Sequence, residues 1–154
     1  GFNHIYHYTK EGELKNQITK GNWEVTAYYG FNESAKTIYY QSVENGSINR
    51  DVYSIRLNGK NKKRLSSEEG TNGADFSANF TYFIKTHSSA TTPPKYTLND
   101  SKTGRLVKNI KDNVSLLEKL SSYNYSRLGR VECLVTRVSR VSNLNVEIRP
   151  TNPK

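Results

Sequence analysis

The sequence predicts an all-β protein built from repeated four-stranded units, and three observations carry that prediction. Gly12, Gly59 and Gly104 stand 47 and 45 residues apart, each at the tip of the same kind of hairpin. Strand-forming stretches precede them at 5–8, 52–57 and 95–98, the last set back by a two-residue insertion, and an aliphatic residue follows six positions after each glycine: Ile18, Leu65 and Ile110. A second hairpin interleaves at a similar period, because Thr37-Ile38-Tyr39-Tyr40 matches Thr81-Tyr82-Phe83-Ile84. Tyrosine, with 11 residues against 5 Phe and 1 Trp, suits strands that have one dry face and one wet edge. Repeats of about 40–50 residues made of four short strands are the signature of β-propeller blades. The chain holds roughly two and a half of them, whereas closure of a propeller takes about four to eight. It reads as a fragment of a larger ring.

The elements follow in order. Residues 5–8 and 14–18 form a hairpin across Lys10-Glu11-Gly12. Residues 24–29 make a strand with Val25, Ala27 and Tyr29 on one face; 32–36 is a polar turn, and 37–42 returns. Residues 52–57 and 62–65 pair across Asn58-Gly59, the strongest two-residue hairpin signal. These four strands make one whole blade. Strands at 74–76, 82–86, 95–98 and 106–110 make the next, with Pro93-Pro94 at the entrance of the third because proline cannot donate to a ladder. At Asp112 the period changes. Asp112-Asn113 can cap a helix, Ser115 and Glu118 have capping-box spacing, and Leu116, Leu117 and Leu120 mark one face of a helix over 114–123. From Arg127 onward aromatic residues disappear and arginine replaces lysine as the main cation (Arg127, Arg130, Arg137, Arg140, Arg149); strands are expected at 131–135 and 143–149, with Pro150 and Pro153 after them. The expected organisation is therefore a partial propeller at 1–111, an exit helix and linker at 112–126, and a separate segment at 127–154.

Composition narrows the function classes. Hydrophobic content is 34% and mean hydropathy −0.79, lean for a compact domain. No run of 18 apolar residues offers a membrane span, and the N-terminus shows no basic stretch followed by an apolar one, so no signal peptide is visible. Cys133 has no partner for an internal disulfide and reads as a small apolar strand residue rather than a nucleophile. The net charge of +9 raises the prospect of a nucleic-acid partner. The lysines are scattered, however, and the densest group (Lys60, Lys62, Lys63, Arg64) follows the Asn58-Gly59 turn, where lysines protect a sheet edge from pairing. No nucleic-acid partner is expected.

Several motifs in one order carry a family resemblance. Ile18-Thr19-Lys20-Gly21-Asn22-Trp23-Glu24-Val25-Thr26 resembles the blade-linking motif of the dipeptidyl peptidase IV family, serine exopeptidases of the prolyl oligopeptidase group. Val52-Tyr53-Ser54-Ile55 with Gly59, Leu65-Ser66 and Glu69-Gly70-Thr71-Asn72 is similar to the next blade in bacterial members. Phe76-Ser77-Ala78-Asn79-Phe80-Thr81-Tyr82-Phe83 and Pro93-Pro94-Lys95-Tyr96-Thr97-Leu98 follow in sequence, and Asp112-Asn113 with Leu117 and Lys119-Leu120 resembles the helix that leaves the propeller. Leu144-Asn145 and Ile148-Arg149-Pro150-Thr151-Asn152 look like the first strand of the family's α/β-hydrolase domain, while residues 127–142 depart from the family pattern. The resemblance implies late blades of an eight-bladed propeller, then the two-stranded start of a hydrolase domain. It further implies an intact enzyme that removes N-terminal dipeptides with Pro or Ala in second position, with Ser, Asp and His in the hydrolase domain. The propeller part would serve as scaffold and substrate gate. Expected partners are the remainder of the parent polypeptide, peptide substrates in the intact enzyme, and a homodimeric copy of the kind the family allows. The parent is expected to be periplasmic or secreted.

The chain's own chemistry is sparse. No G-x-S-x-G occurs, so the nucleophile elbow is missing. His4 and His7 stand three apart on a strand, which points them to opposite faces; His87 stands alone after a strand. Glu68-Glu69 invites comparison with the family's amine-binding glutamate pair, but it occupies a loop between late blades, and the role does not carry over. Asp51 with Arg50, and Asp75, read as turn and surface residues. Trp23 reads as packing between blades. Asn-x-Ser/Thr sequons at Asn32, Asn45, Asn79, Asn99, Asn113 and Asn124 are weak evidence for glycosylation in a chain this rich in Asn, Ser and Thr. No catalytic, substrate-binding or metal-ligating residue is assigned, and no cofactor is expected. The alternative reading is a stand-alone propeller-type binding module without a hydrolase partner.

Overall fold

The structure, a computed structural model, describes residues 1–121. Strands β1 (Tyr6–Tyr8) and β2 (Leu14–Gln17) form an antiparallel hairpin. Strands β3 (Val25–Asn32), β4 (Thr37–Ser42), β5 (Asp51–Arg56) and β6 (Lys63–Arg64) form a four-stranded antiparallel sheet in chain order. A second such sheet follows, from β7 (Thr71–Phe76), β8 (Tyr82–Ser89), β9 (Thr92–Asp100) and β10 (Leu106–Lys111), and helix α1 (Val114–Ser121) comes after it. These are the expected half blade, a middle blade and a C-terminal blade. The strands and segment expected within 127–154, Cys133, the sequon at Asn124 and the helix end at Tyr123 lie outside the described residues.

The sheets stack face against face, and the alternation of β4 and β5 shows how. Ile38, Tyr40, Tyr53 and Ile55 turn back toward the hairpin and bury against Ile18, with Ile5, Trp23, Val25, Phe31 and Leu57 around them. Tyr39 and Val52 turn forward to Leu65 and to Phe83 of the next blade, with Tyr29, Ala74, Phe76 and Phe80 around them. A strand normally alternates dry and wet. Here every residue from Ile38 to Ser42 is buried, because the sheet has a neighbour on both sides. Rings supply much of that filling: Tyr39 packs at 4.5 Å from Phe76 and stacks at 5.3 Å on Phe80, and Tyr40 stacks at 5.5 Å on Tyr53. Each such side chain contributes roughly 1.5–3 kcal/mol through burial.

Several sequence expectations are corrected by this packing. Matching Tyr39 with Phe83 puts the two blades one residue out of step. Tyr39 faces forward and Phe83 faces back, so the packing equivalent of Phe83 is Tyr40. A one-residue slip flips every side chain to the other face. The Asn58-Gly59 tip is a three-residue loop rather than a two-residue turn: Arg56 N donates to Lys60 O at 3.0 Å, Gly59 N donates to Arg56 O at 2.8 Å, and Gly59 takes φ +77°. Gly12 closes the same loop between Thr9 and Glu13. Pro93 and Pro94 lie within β9 rather than before it, beside the register shift between His87 and Ser89 that leaves them outside regular pairing. Strand β3 runs on to Asn32, whose Oδ1 accepts from Ala35 N at 3.0 Å and starts the turn. Ser115 is inside α1, so no capping box forms; Asp112 Oδ1 accepts from Val114 N instead.

Candidate functional site

The richest polar chemistry lies at the seam between the middle and C-terminal blades. The chain leaves β6 and crosses through 65–70 to β7, where Arg50 and Thr71 form a parallel bridge: Arg50 N donates to Gly70 O at 2.9 Å and Asn72 N to Arg50 O at 2.8 Å. That bridge sets Asp51, at the start of β5, against Asn72 in β7. Asp51 is fully buried, not a surface residue as its turn-like context suggests. Its Oδ1 accepts from Ser66 Oγ at 2.7 Å and Arg64 Nη2 at 2.9 Å, with Asn72 Nδ2 at 3.3 Å. Ser66 Oγ in turn accepts from Val52 N at 3.0 Å. Asn72 Nδ2 donates more closely to Glu68 O at 2.8 Å and to Arg50 O at 3.1 Å. A buried carboxylate holds its charge only with such partners.

Glu68, on the crossover, is clamped by two lysines of the C-terminal blade. Lys85 Nζ donates to its Oε2 at 2.6 Å, and Lys95 Nζ donates to its Oε1. Partial burial alone raises its pKa, but the hydrogen bonds from Lys85 and Lys95, with the charges of Lys85 and His87, hold it at about 2. Both oxygens are engaged within the seam, so Glu68 offers no open carboxylate to a cationic ligand. Glu69 contributes its carbonyl, which accepts from His87 Nε2 at 2.9 Å. His87 is buried in β8 rather than following a strand, and pairs across the sheet with Asn72 and Lys95.

The remaining candidates disperse. His4 precedes β1 and staples the link between the hairpin and the middle blade: Nε2 donates to Gly21 O at 3.1 Å, and Nδ1 lies 3.2 Å from Thr19 Oγ1. Its ring meets Trp23 edge-on at 5.0 Å. Trp23 is half-buried between hairpin and middle blade, with Lys62 Nζ over its ring at 5.4 Å. The basic group after Gly59 is largely committed locally: Lys62 to Glu44 at 2.7 Å, Arg64 to Asp51, and Lys63 Nζ to Lys102 O at 2.9 Å. Asp75 and Arg50 are exposed. Among the sequons, Asn99 is buried, with Nδ2 donating to Gly104 O at 3.0 Å, which leaves no room for a glycan. An open cleft of about 510 Å³ lies where the Gly59 loop meets β2, lined by His7, Lys15, Lys36 and Arg56 together with Asn16, Leu57 and Asn58. Sequence reading missed this cationic cleft, since its bases come from four separate stretches. It also missed the Asp51–Asn72 seam, whose only sequence trace is a pair of polar residues at strand starts. Among the described residues no group of three His, Cys, Asp or Glu side chains converges on a metal position.

Comparison with known proteins gives this architecture its relatives. The family model describing the dipeptidyl peptidase IV (DPP IV) N-terminal region matches residues 1–94. Dipeptidyl peptidase 4 of Trichophyton rubrum is 33% identical over 153 residues, covering 97% of this chain and 19% of the fungal protein. That of Arthroderma otae is 33% identical over 150 residues, covering 95% and 19%. The crystal structure of Porphyromonas gingivalis dipeptidyl peptidase 4 superposes with a TM-score of 0.75 at 43% identity, covering 79% of this chain and 17% of that one. A Bacteroides ovatus putative dipeptidyl aminopeptidase IV shares the fold, with a TM-score of 0.55 at 24% identity. The chain thus spans about a fifth of the length of these relatives.

Proposed function

The chain belongs to the dipeptidyl peptidase IV N-terminal region family, and from that premise we propose that it forms late propeller blades of a serine exopeptidase that removes N-terminal X-Pro and X-Ala dipeptides. In that role the blades are scaffold and gate. They hold neighbouring blades and the hydrolase domain in register and restrict what reaches the catalytic groups, which another part of the polypeptide supplies. The observation that carries the reading is the agreement between the matched stretch, 1–94, and a stack of sheets in which one blade is buried on both faces. The seam chemistry supports it: Asp51 and Glu68 are spent on joining blades, and Ser66 Oγ is spent on Asp51.

Two measurements test the reading. The purified chain is expected to release no chromophore from a Gly-Pro anilide, since it has no G-x-S-x-G elbow. A chimera of the P. gingivalis enzyme, with its matching segment replaced by residues 1–121 of this chain, is expected to retain hydrolysis, with KM shifted more than kcat if the blades gate access. Hydrolysis by the chain alone, blocked by a serine-directed reagent, overturns the reading. So does a folded chimera with no activity.

A further inference from the structure

The chain carries one reactive dipeptide three times: Asn-Gly stands at 45–46, 58–59 and 72–73. At such a step the glycine nitrogen can attack the asparagine Cγ, because glycine has no side chain to obstruct the approach. The N–Cγ bond forms, the nitrogen gives up its proton, and the Cγ–Nδ2 bond breaks with release of ammonia. Water then opens the cyclic imide at one carbonyl or the other and leaves aspartate or isoaspartate. Ring closure needs a carboxamide free to swing onto its own backbone and a glycine nitrogen free to lose its proton. The sequence offers three equal candidates, and the fold does not.

Asn72 is fully buried, and its Nδ2 donates to Glu68 O at 2.8 Å, Arg50 O at 3.1 Å and Asp51 Oδ1 at 3.3 Å. Gly73 pairs with Thr86 inside the β7–β8 ladder. Asn58 is exposed but tied: its Oδ1 accepts from Lys60 N at 3.0 Å, and Gly59 N donates to Arg56 O at 2.8 Å. The Gly59 tip also rests on the hairpin, where a Cβ built on it would stand 3.3 Å from Ile18 O. Asn45 differs from both. It is exposed in the 43–50 loop of the middle blade, the blade with a neighbouring sheet on each face. Among the described residues its carboxamide has no hydrogen-bond partner; only its main-chain oxygen is held, by Asn49 Nδ2 at 3.1 Å. The Gly46 nitrogen makes one bond, to Val43 O at 3.1 Å, in an exposed turn where water can replace it.

We propose that Asn45 is the modification site of the folded chain, converting spontaneously to aspartate and isoaspartate, and that the fold withholds Asn58 and Asn72 from the same chemistry. The product sets a new carboxylate next to Glu44, which already pairs with Lys62 at 2.7 Å. The isoaspartate form adds one carbon to the main chain of an exposed turn, away from the Asp51–Asn72 seam. The shielding falls where the reaction would do most damage. At Asn72 it would put a second carboxylate against Asp51 and turn a triple donor into an acceptor facing two carbonyls. None of this depends on a peptidase role.

Ageing the folded chain in mildly alkaline buffer, followed by peptide mapping and isoelectric focusing, tests the proposal. The Asn45 peptide is expected to gain the mass of an NH2-to-OH exchange first, and the chain to lose one unit of its +9 charge. The Asn58 peptide is expected to trail, and the Asn72 peptide to stay unchanged. Asn45→Gln is expected to remove the early acidic band without altering the thermal melt, since the side chain holds nothing. In the urea-unfolded chain all three peptides are expected to convert at comparable rates. A folded chain in which Asn58 or Asn72 leads, or in which Asn45 does not convert, overturns the proposal. So does an acidic band that persists in Asn45→Gln. The folded ranking preserved in urea overturns it too, because selection would then lie in the flanking sequence and not in the fold.

Discussion

Strands β4 and β8 occupy the same place in adjacent blades and alternate in the same way, yet they differ in burial. Along β4, Ile38, Tyr39 and Tyr40 are 4%, 3% and 0% exposed; along β8, Tyr82, Phe83 and Ile84 are 44%, 1% and 39% exposed. The difference is not in strand chemistry, since both runs are aromatic and β-branched. It lies in the neighbours: the middle blade has a sheet on both faces, and among the described residues the C-terminal blade has one on its inward face only. A hydrophobic strand in this architecture is a statement about the array, and its second face is stable only when the next unit arrives.

The largest expected effect tests the doubly covered blade. Tyr40→Ala removes a ring that stacks on Tyr53 and is expected to cost ~3–5 kcal/mol, read as a lower urea midpoint at constant slope. Tyr40→Phe separates ring from hydroxyl. Burial pushes the Tyr40 hydroxyl pKa well up, reinforced by the charge of Glu44 and by Tyr53, and the hydroxyl has no partner among the described residues. The phenylalanine variant is therefore expected to match or exceed the wild-type midpoint. A costly Tyr40→Phe would mean that the hydroxyl, not the ring, holds the blade.

Next in size is the seam that joins the two blades. Asp51→Asn removes the buried charge that Arg64 and Ser66 serve and is expected to cost about 2–3 kcal/mol. Asp75→Asn, at an exposed position in β7, is expected to stay within about 0.5 kcal/mol. Equal effects at the two sites would dissolve the distinction between seam and surface.

These two carboxylates also show what was legible in the sequence. Strand existence and the four-stranded unit were, because glycine tips and aliphatic spacing are local signals; β4 begins and ends where its pattern predicts. Facing was not. The match of Tyr39 to Phe83 is good in residue type and wrong by one position, since a loop residue more or less between two strands leaves composition unchanged and inverts the packing. Asp51 and Asp75 look alike in sequence, and only the parallel bridge from Arg50 to Thr71 makes one a buried anchor. His87 is the same case: its strand extends beyond the apolar run because Asn72 and Lys95 pair with it.

A smaller effect comes from acid. The Glu68 carboxyl is held at about 2 against an ordinary 4.5, so its clamp on Lys85 and Lys95 contributes stability that is complete above about pH 4.5 and is lost as pH falls toward 2. The loss loosens the crossover from the C-terminal blade, which Lys85 and Lys95 hold through Glu68. Glu68→Gln is expected to lower the urea midpoint near pH 6, leaving Lys85 without its counter-charge, and to converge with the wild type near pH 2. Parallel midpoint curves across that range would remove Glu68 from the seam's energetics.

The smallest expected effect bears most directly on the open face. Ile84 points away from Phe83 and is partly exposed, so Ile84→Ser in dilute, monomeric chain removes little burial and is expected to cost about 1 kcal/mol or less. Placed in the chimera with the P. gingivalis enzyme, the same substitution meets a neighbouring unit if that face is covered there, and its cost rises toward the ~2–5 kcal/mol of a buried aliphatic truncation. The pair of measurements compares one side chain in two surroundings, with local strand chemistry held constant. A large cost in the isolated chain would mean that Ile84 is already covered and that the C-terminal blade resembles the middle one. A small cost in both would mean that no unit packs on this face even in the longer polypeptide, and that the array ends at β10 by design of its sequence.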